Sequence, residues 1–421
     1  MPDEYIKRII DSYIKEYLDL MGALSIEGPK WCGKTRTSEE FAGSILCIDN
    51  KDQIDSLKLA ARSGVRAFLE GDTPRLIDEW QEVPEIWDAV RFEVDRRRKK
   101  GQFILTGSSA PPEGSVMHSG AGRIARVTMR PMSLFESGES NGQVSLEGLF
   151  DSDRTIDGYS ELKVDALAYA ITRGGWPESV GEPRDRAPKI ATQYIKALIN
   201  SDFSRFDLVK WDPNIVKRVI ESISRNISTS ASREAIRRDV NGAKGTVAES
   251  TIAAYINTME KVFLLDNLPA WNPHMRSRTR LMRTPKWHFA DPSIAAASLR
   301  ASADALLADY KSFGLLFESM CIRDLRVYAD PLDGRISYFR DNNGNEVDAI
   351  VELPGGKWGA VEIKLGGDRI DEGAKNLLKL ERNIDTEYMK QPSFLMVLTA
   401  DRYAYRRPDG VLVVPVGCLR N

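Results

Sequence analysis

The sequence Gly28-Pro29-Lys30-Trp31-Cys32-Gly33-Lys34-Thr35 has the pattern G-x-x-x-x-G-K-T. This is the pattern of a phosphate-binding loop, in which glycines let backbone amides surround phosphate groups. Residues 22–27 before it are apolar and of strand character, and residues 36–41 after it favour the start of a helix. Because a phosphate loop requires the order strand, loop, helix, the context supports the motif, and all eight residues are candidate nucleotide ligands.

Two side chains at the end of this loop have distinct chemical roles. Lys34 would bring its positive charge to the β- and γ-phosphates, and the Thr35 hydroxyl would ligate Mg²⁺. The positive end of the following helix would add to the anion site. The loop therefore predicts ATP and Mg²⁺ as cofactors.

Two carboxylates follow a later apolar strand, in the sequence Arg75-Leu76-Ile77-Asp78-Glu79. Asp78, at the carboxyl end of that strand, would hold Mg²⁺, and Glu79 would orient and polarise the water that attacks the γ-phosphate. The alternative is an acidic pair between a strand and a loop that has no catalytic role. The phosphate loop upstream favours the catalytic interpretation.

Small polar residues end a third apolar strand, at residues 102–109. A polar side chain at this place would sense the γ-phosphate, and the candidates are Thr106, Ser108 and Ser109. Each of them is equally suited to the hydrogen bonding of a turn.

Two arginines follow this strand, at Arg123 and Arg126. An arginine here would reach a γ-phosphate, either in the same subunit or across a subunit interface. Arg123 is the first candidate for this catalytic role and Arg126 the second. The alternative, that both are surface charges on a strand, has equal weight.

The composition is that of an ordinary globular protein. The chain has 421 residues, of which 29% are charged, and its formal net charge is −2. The length predicts two or three domains, and the balanced charge means that a nucleic-acid partner would need a local basic face. Four scattered cysteines predict reduced thiols and no zinc site. The absence of a long apolar run and of a secretory signal predicts a cytoplasmic protein without membrane contact.

Alternating strands and helices in residues 1–150 predict an α/β domain, a P-loop ATPase core with a mostly parallel sheet and helices on both faces. Residues 141–154 are rich in Gly, Ser, Asn and Asp and predict a loop. A helical lid segment is predicted for residues 151–185, where Gly174-Gly175-Trp176-Pro177 would end a helix. The simpler interpretation of these four residues is helix termination alone.

Residues 186–300 predict a helical, winged-helix domain. A helix at 232–240, a turn and a longer helix at 248–265 are followed by a strand pair at 263–268 and 286–289. Basic residues lie between the two strands and would contact a DNA backbone as a wing. They are Arg276, Arg278, Arg280, Arg283 and Lys286. A winged helix that only packs domains together is an equal alternative.

Residues 301–421 predict a small α/β domain. On a strand, Glu362 and Lys364 share one face, and Asp348 on a neighbouring strand would converge with them at one sheet edge. Two carboxylates there would bind Mg²⁺, and the lysine would activate water. Glu318 lies on an apolar helix before these strands. This arrangement resembles the restriction-endonuclease-like fold, and the alternative is a fold that has lost its nuclease activity.

Taken together, the chain resembles bacterial and archaeal AAA-family ATPases with an N-terminal AAA domain and a C-terminal domain of unknown function. The resemblance is carried by residues 22–35, 105–109, 122–123, 174–177 and 345–348. It implies ATP binding and hydrolysis, a lid in which Pro177 approaches the base, and winged-helix and nuclease-like parts. Val347 stands where a strict nuclease pattern has proline.

The predicted function is an ATPase that couples its nucleotide state to a DNA-directed or nuclease-like module. The alternative is a nucleotide-dependent switch that binds a protein partner and has an inert C-terminal domain. The sequence leaves the oligomeric state open.

Overall fold

The computed structural model describes residues 5–48, 54–58, 68–109, 116–151, 156–202, 212–242, 245–271, 283–341, 343–387 and 389–421. The chain forms two compact units. The first comprises Met1–Pro131 with Met259–Leu264, and the second comprises Met132–Thr258 with Leu265–Asn421.

The first unit is built on a five-stranded parallel sheet. Its strands are β1 (Ala23–Glu27), β2 (Ser44–Cys47), β3 (Arg75–Asp78), β4 (Phe103–Gly107) and β5 (Ile124–Thr128). They are ordered β2-β3-β4-β1-β5, and every neighbouring pair is parallel. Its helices include α1 (Ile10–Leu20), α2 (Lys34–Glu39) and α3 (Glu85–Arg97).

Successive strand residues enter two different hydrophobic clusters. Leu76 and Ile104 pack with residues of α1, whereas Ile77 and Leu105 pack with residues of α3. Because side chains alternate across a strand, a sheet that buries both sets must be covered on both faces. The prediction of a parallel sheet with helices on both faces is therefore confirmed.

From residue 132 onward, the described helices begin with α4 and the strands with β6. The helices are α4 (Val164–Arg173), α5 (Ala187–Ala197), α6 (Pro213–Arg225), α7 (Arg233–Asn241), α8 (Glu249–Lys261), α9 (Pro292–Ser298), α10 (Ala303–Ala308), α11 (Tyr310–Ala329) and α12 (Ile370–Arg382). Several start at the capping residues that their sequences predict, because a side-chain oxygen accepts an otherwise unpaired backbone N–H. Ser232 caps α7, Asp291 caps α9 and Asp309 caps α11.

The second unit contains an eight-stranded mixed sheet. The strands of this part of the chain are β6 (Val144–Ser145), β7 (Gly158–Tyr159), β8 (Ala270–Trp271), β9 (Arg335–Arg340), β10 (Glu346–Glu352), β11 (Trp358–Lys364), β12 (Phe394–Thr399), β13 (Tyr403–Arg406), β14 (Leu412–Pro415) and β15 (Leu419–Arg420). The sheet order is β7-β13-β14-β12-β11-β10-β9-β8, and β6 pairs separately with β15. Helix α12 packs on β11 and β12.

The continuous amino-terminal part of the first unit ends at Pro131, whereas the sequence predicted an ATPase core that extends to residue 150. Residues 132–150 belong to the second unit because their backbone is bonded there. The Met132 N–H donates to the Gly175 carbonyl at 2.6 Å, and β6 pairs with β15 near the end of the chain. The further division of residues 151–421 into a lid, a winged helix and a nuclease-like domain stays a prediction.

The segment predicted as a winged helix contains the two expected helices, and isolated bridges stand in place of the expected strand pair. Helices α7 and α8 have the predicted order, and antiparallel bridges join Leu265 to Phe289 and Leu268 to Lys286. None of the helices among the described residues is both long and apolar enough to cross a membrane.

Candidate functional site

The phosphate loop connects the end of β1 to the start of α2. Gly33 precedes α2 with φ of 102°, a left-handed conformation that glycine adopts without strain. A Cβ atom built on Gly28 would lie 2.1 Å from the Met129 carbonyl oxygen, so only glycine fits there. The two glycines of the motif are therefore required by the backbone of this loop.

Lys34 is directed back into the loop. Its ammonium group donates hydrogen bonds to the carbonyl oxygens of Gly28 and Pro29, both at 2.9 Å, and the side chain is buried. The cation is held at the centre of the loop, where phosphate oxygens would compete with these carbonyls. Lys34 fits the role that its place in the motif predicts.

Asp78 lies beside the loop because β3 ends at this residue, two strands from β1 in the sheet. Its carboxylate accepts hydrogen bonds from the Thr35 hydroxyl, at 2.9 and 3.1 Å for the two oxygens, and from the buried Thr106 hydroxyl. The structure thus brings together the two predicted Mg²⁺ ligands. The Thr106 hydroxyl donates to Asp78 in this structure, and its role in sensing phosphate stays a prediction.

Glu79 is held in a fixed orientation immediately after Asp78. Its φ is 58°, an uncommon conformation for a residue other than glycine and one that is found at functional sites. The carboxylate accepts a hydrogen bond from the Ser108 hydroxyl at 2.9 Å and another from the Gln81 amide. No sequence motif marks Gln81, because its contact with Glu79 depends on the turn that follows Asp78.

The environment of Asp78 alters its protonation. Burial raises the pKa of this carboxyl and neighbouring Glu79 adds to the rise, while hydrogen bonds from Thr106 and Thr35 and the Lys34 charge oppose it. The net pKa lies above that of an ordinary aspartate. A divalent cation would favour the ionised form that ligation requires.

Arg123 lies at the opposite edge of the sheet from the phosphate loop. It precedes β5, whose first residue Ile124 pairs with Ala23 at the start of β1, whereas the loop follows the last residue of β1. Five strand residues separate the two edges, about 16 Å at 3.3 Å per residue. Arg123 therefore does not reach a phosphate in its own subunit, and it pairs with Asp95 at 2.8 Å. A role across a subunit interface stays a prediction.

Arg126, the second candidate, lies on β5, which is adjacent to β1, the strand that leads into the phosphate loop. Its guanidinium stacks over the Trp87 ring at 4.5 Å and lies 3.4 Å from the Glu27 carboxylate. Glu27 is the last residue of β1, so Arg126 is nearer to the phosphate loop than Arg123 is. Its contacts are those of a surface cation on a strand.

Three further predicted nucleotide ligands have defined surroundings. Trp31 is 44% exposed and has φ of 66°, so the loop holds a large side chain outward in a left-handed conformation. Cys32 is buried and its thiol donates to the Met129 carbonyl at 3.5 Å. Pro177 lies in the second unit at the start of a short 3₁₀ turn, and its approach to a base stays a prediction.

Gly174 and Gly175 have a structural role within the second unit. Gly174 ends α4 with φ of 79°, as the simpler interpretation of this motif predicted. A Cβ atom on Gly175 would lie 2.1 Å from the Met132 carbonyl oxygen. The Gly175 N–H donates to Asp291 at 2.9 Å, and Asp291 also pairs with the buried Arg323 at 2.7 Å.

A second cluster of charges lies in the second unit where β10, β11 and α11 meet. The structure brings together Asp348, Glu362 and Lys364, as the sequence predicted. Lys364 lies 2.5 Å from Glu362 and 3.5 Å from Asp348. Asn376 on α12 donates to Glu362 at 3.2 Å, and the Ile363 N–H donates to Asp348 at 2.8 Å.

Lys286 is an unpredicted member of this cluster. Its ammonium lies 2.9 Å from Glu318, 2.7 Å from Glu346 and 3.6 Å from Asp348, and its side chain is 4% exposed. The assignment of Lys286 to a DNA-contacting wing is therefore wrong, because a buried lysine that neutralises carboxylates cannot face a DNA backbone. Of the other wing residues, Arg276, Arg278 and Arg280 lie outside the described residues.

The charges in this cluster shift one another's pKa values. Burial raises the pKa of Glu318 to about 7 and that of Glu362 to about 8. Burial also acts to raise the pKa of Asp348, but Lys286 and Lys364 outweigh it and lower the pKa below the usual value. Across the described part of the chain, no group of three His, Cys, Asp or Glu side chains is arranged to hold a metal ion. Lys286 and Lys364 supply the positive charge among these carboxylates.

Three family models match successive parts of the chain. Residues 21–137 match the AAA domain, residues 164–305 match a domain of unknown function (DUF8612), and residues 313–419 match another (DUF4143). The AAA match includes the phosphate loop, Asp78 and Glu79. The parallel sheet of the first unit fits the fold of a P-loop ATPase, and the AAA match supports ATP binding and hydrolysis.

Two mycobacterial proteins are similar to this chain over most of its length. The uncharacterized proteins Rv2008c of Mycobacterium tuberculosis and Mb2031c of Mycobacterium bovis are each 23% identical to it over 347 residues, 80% of this chain and 69% of theirs.

Two solved structures from Pyrococcus also show similarity. The Walker-type ATPase PABY2304 of Pyrococcus abyssi is 15% identical with a TM-score of 0.42, over 71% of this chain and 97% of that one. The signal transduction ATPase PH0952 of Pyrococcus horikoshii, which has a tetratricopeptide repeat sensor, is 13% identical with a TM-score of 0.22, over 79% and 52% of the two chains. At these values neither neighbour defines the fold or the function of this chain.

Proposed function

We propose that this protein is a Mg²⁺-dependent ATPase whose site is the phosphate loop with Asp78 and Glu79. The observation that carries the proposal is the contact of the Thr35 hydroxyl with both Asp78 carboxylate oxygens, at 2.9 and 3.1 Å. Hydroxyl and carboxylate oxygens are the ligands that Mg²⁺ prefers, so these two residues fit the ion. When bound, Mg²⁺ supplies positive charge to the phosphate oxygens.

Lys34 and Glu79 have different roles in the proposed reaction. Lys34 would exchange its bonds to the Gly28 and Pro29 carbonyls for bonds to phosphate oxygens, so its charge is already in position before nucleotide binds. Glu79 would orient the attacking water and draw its proton. Its hydrogen bonds from Ser108 and Gln81 keep the carboxylate in one orientation, which favours in-line attack.

The proposal is tested by calorimetric titration with ATP and MgCl₂, followed by a phosphate-release assay. Lys34→Ala should abolish binding, whereas Glu79→Gln should bind ATP normally and lose at least about 100-fold in kcat, the usual size of a general-base effect. Lys99→Ala, which removes an exposed lysine, is the control and should behave as wild type. The proposal is wrong if wild type gives no binding heat with metal present, and the assignment of Glu79 is wrong if Glu79→Gln turns over normally.

We propose further that the nucleotide state controls a DNA-directed or nuclease-like second unit. Two observations support this candidate. The four predicted residues Glu318, Asp348, Glu362 and Lys364 lie in one cluster. Beside it is a shallow, open depression of about 250 Å³ whose lining includes Arg283 and Arg340, side chains that suit phosphodiester oxygens.

The alternative is a switch that binds a protein partner and whose second unit is catalytically inert. It is favoured by Lys286, because this lysine lies among three carboxylates where a nuclease would hold its metal ion. With Lys364 on the other side, the cluster is already supplied with two cations. The residues present therefore fit Mg²⁺ poorly at this place.

A supercoiled plasmid incubated with protein, Mg²⁺ and ATP distinguishes the two functions. Nicking that Glu362→Ala abolishes and that Glu387→Ala, an exposed control, retains would support the nuclease-like function. Absence of nicking with Mg²⁺ or Mn²⁺, together with an unchanged ATPase rate on adding DNA, would exclude it. Capture of a defined partner only in the ATP state, unaffected by Glu362→Ala, would then support the switch.

A further inference from the structure

Arg8 contacts the phosphate loop from a segment that precedes the first helix. Its guanidinium Nη1 donates to the Cys32 carbonyl at 2.9 Å, and Nη2 donates to the Arg130 carbonyl at 2.8 Å. The residue is 5% exposed, so its charge is buried against the backbone of the loop. A buried arginine of this kind is retained only where carbonyls or carboxylates satisfy it.

The segment around Arg8 is itself attached to the helix that follows the loop. The Arg8 N–H donates to Asp11 at 3.0 Å, and the Tyr5 hydroxyl contacts both Asp11, at 2.7 Å, and Thr37 on α2, at 3.2 Å. Residues 5–11 are therefore joined both to the phosphate loop, at Cys32, and to the helix that follows it, at Thr37. This fixes the direction from which Arg8 reaches the loop.

The bond to Cys32 has a consequence for the amides that would bind phosphate. In a planar trans peptide the C=O and the following N–H point in opposite directions. When Arg8 holds the Cys32 carbonyl, it also fixes the direction of the Gly33 N–H, which belongs to the same peptide group. Loop amides held in advance bind phosphate without a further cost of ordering.

We propose that Arg8 is a positioning residue for the phosphate loop, acting through the Cys32–Gly33 peptide and the Arg130 carbonyl. The inference rests on the proposed function, since it assigns a role toward a bound phosphate. The Arg8 guanidinium donates to two backbone carbonyls, so the role assigned to it is to position the loop. Charge-assisted bonds of this type predict a loss of about 10- to 100-fold in ATP affinity when the guanidinium is removed.

The experiment uses the full chain and the variants Arg8→Ala, Arg8→Lys and Lys7→Ala. Lys7 is the adjacent, exposed cation and serves as the matched control. For each variant, far-UV circular dichroism and the unfolding midpoint establish the folded fraction. The Kd for Mg-ATP and the kcat and KM of hydrolysis are then measured at a temperature where each is folded.

The expected result is a 10- to 100-fold rise in Kd and KM for Arg8→Ala, a smaller rise for Arg8→Lys, and wild-type values for Lys7→Ala. Arg8→Lys keeps the charge but reaches a single carbonyl, so it also tests the inference if Arg8→Ala does not fold. A lower unfolding midpoint with unchanged Kd in the folded variants would show a purely structural role and overturn the inference. If wild type and Lys7→Ala also fail to bind ATP, the proposed function itself is wrong.

Discussion

Replacing Lys286 with methionine would remove one of the two lysine cations from the buried charge cluster of the second unit. The variant leaves Glu318, Glu346 and Asp348 without an ammonium that lies 2.9, 2.7 and 3.6 Å from them. Methionine has a similar length, so the change removes charge with little loss of volume. Breaking a buried ion pair by removing one partner costs about 3–5 kcal/mol. At roughly 2–4 °C per kcal/mol, the unfolding midpoint of the second unit should fall by about 6–20 °C.

The loss should grow as the pH rises. Burial raises the pKa of Glu318 to about 7, and Lys286 is the main charge that opposes this rise. A carboxyl whose pKa is higher in the folded than in the unfolded state lowers stability as pH rises, until the folded pKa is passed. Without Lys286 that folded pKa moves higher still, so the additional cost of ionising Glu318 appears above pH 7. The variant should therefore lose more stability at pH 8.5 than at pH 6.

Differential scanning calorimetry at these two pH values measures the effect. Lys357→Met, which removes an exposed lysine between β10 and β11, is the matched control and should leave the midpoint within about 1 °C of wild type, as for most surface changes. Equal midpoints for Lys286→Met and Lys357→Met at both pH values would refute the description of Lys286 as a cation that stabilises this cluster. A loss that is larger at pH 6 would refute the assigned direction of the Glu318 titration.

Three other predictions concern the ATP site and the motif in the second unit. Burial raises the pKa of Asp78, so as the pH is lowered the affinity for Mg-ATP should begin to fall at a higher pH than it would with an aspartate of ordinary pKa. Binding titrations of wild type between pH 8 and pH 5 should show this fall. The same pH profile in Asp78→Asn would contradict the prediction. Ser108→Ala removes a 2.9 Å bond to Glu79 and should lower kcat by about 10-fold, with KM nearly unchanged, in a phosphate-release assay. Gly175→Ala would place a Cβ atom 2.1 Å from the Met132 carbonyl oxygen and should destabilise the protein by more than about 1 kcal/mol, measured as a lower unfolding midpoint.

Most residues of the candidate ATP site could be predicted, because they belong to short sequence motifs or follow a recognisable apolar strand. The loop motif itself specifies the two glycines, the lysine and the threonine. An apolar strand that ends in two acidic residues predicts Asp78 at the carboxyl edge of a parallel sheet. Gln81 and Arg8 could not be predicted in the same way. Their contacts are with Glu79 and with the Cys32 carbonyl, which depend on a turn and on the path of the chain before α1.

Arg123 and Lys286 show the limit of arguments from sequence position. Arg123 directly precedes β5, and only the parallel pairing of β5 with β1 shows that it lies at the edge of the sheet opposite the phosphate loop. Lys286 follows a run of arginines that suggests a basic surface, yet its ammonium is buried between Glu318 on α11 and Glu346 on β10.

The amino-acid sequence alone predicted a phosphate-binding loop, the order of strands and helices around it, and the residues expected to contact phosphate and Mg²⁺. These follow from spacing along one short segment and from side-chain alternation, which act locally. Tertiary structure alone decided which distant charges meet: the lysine among the carboxylates of the second unit, and the arginine that holds the phosphate loop. Burial makes these contacts strong, and burial depends on how segments far apart in the chain pack together.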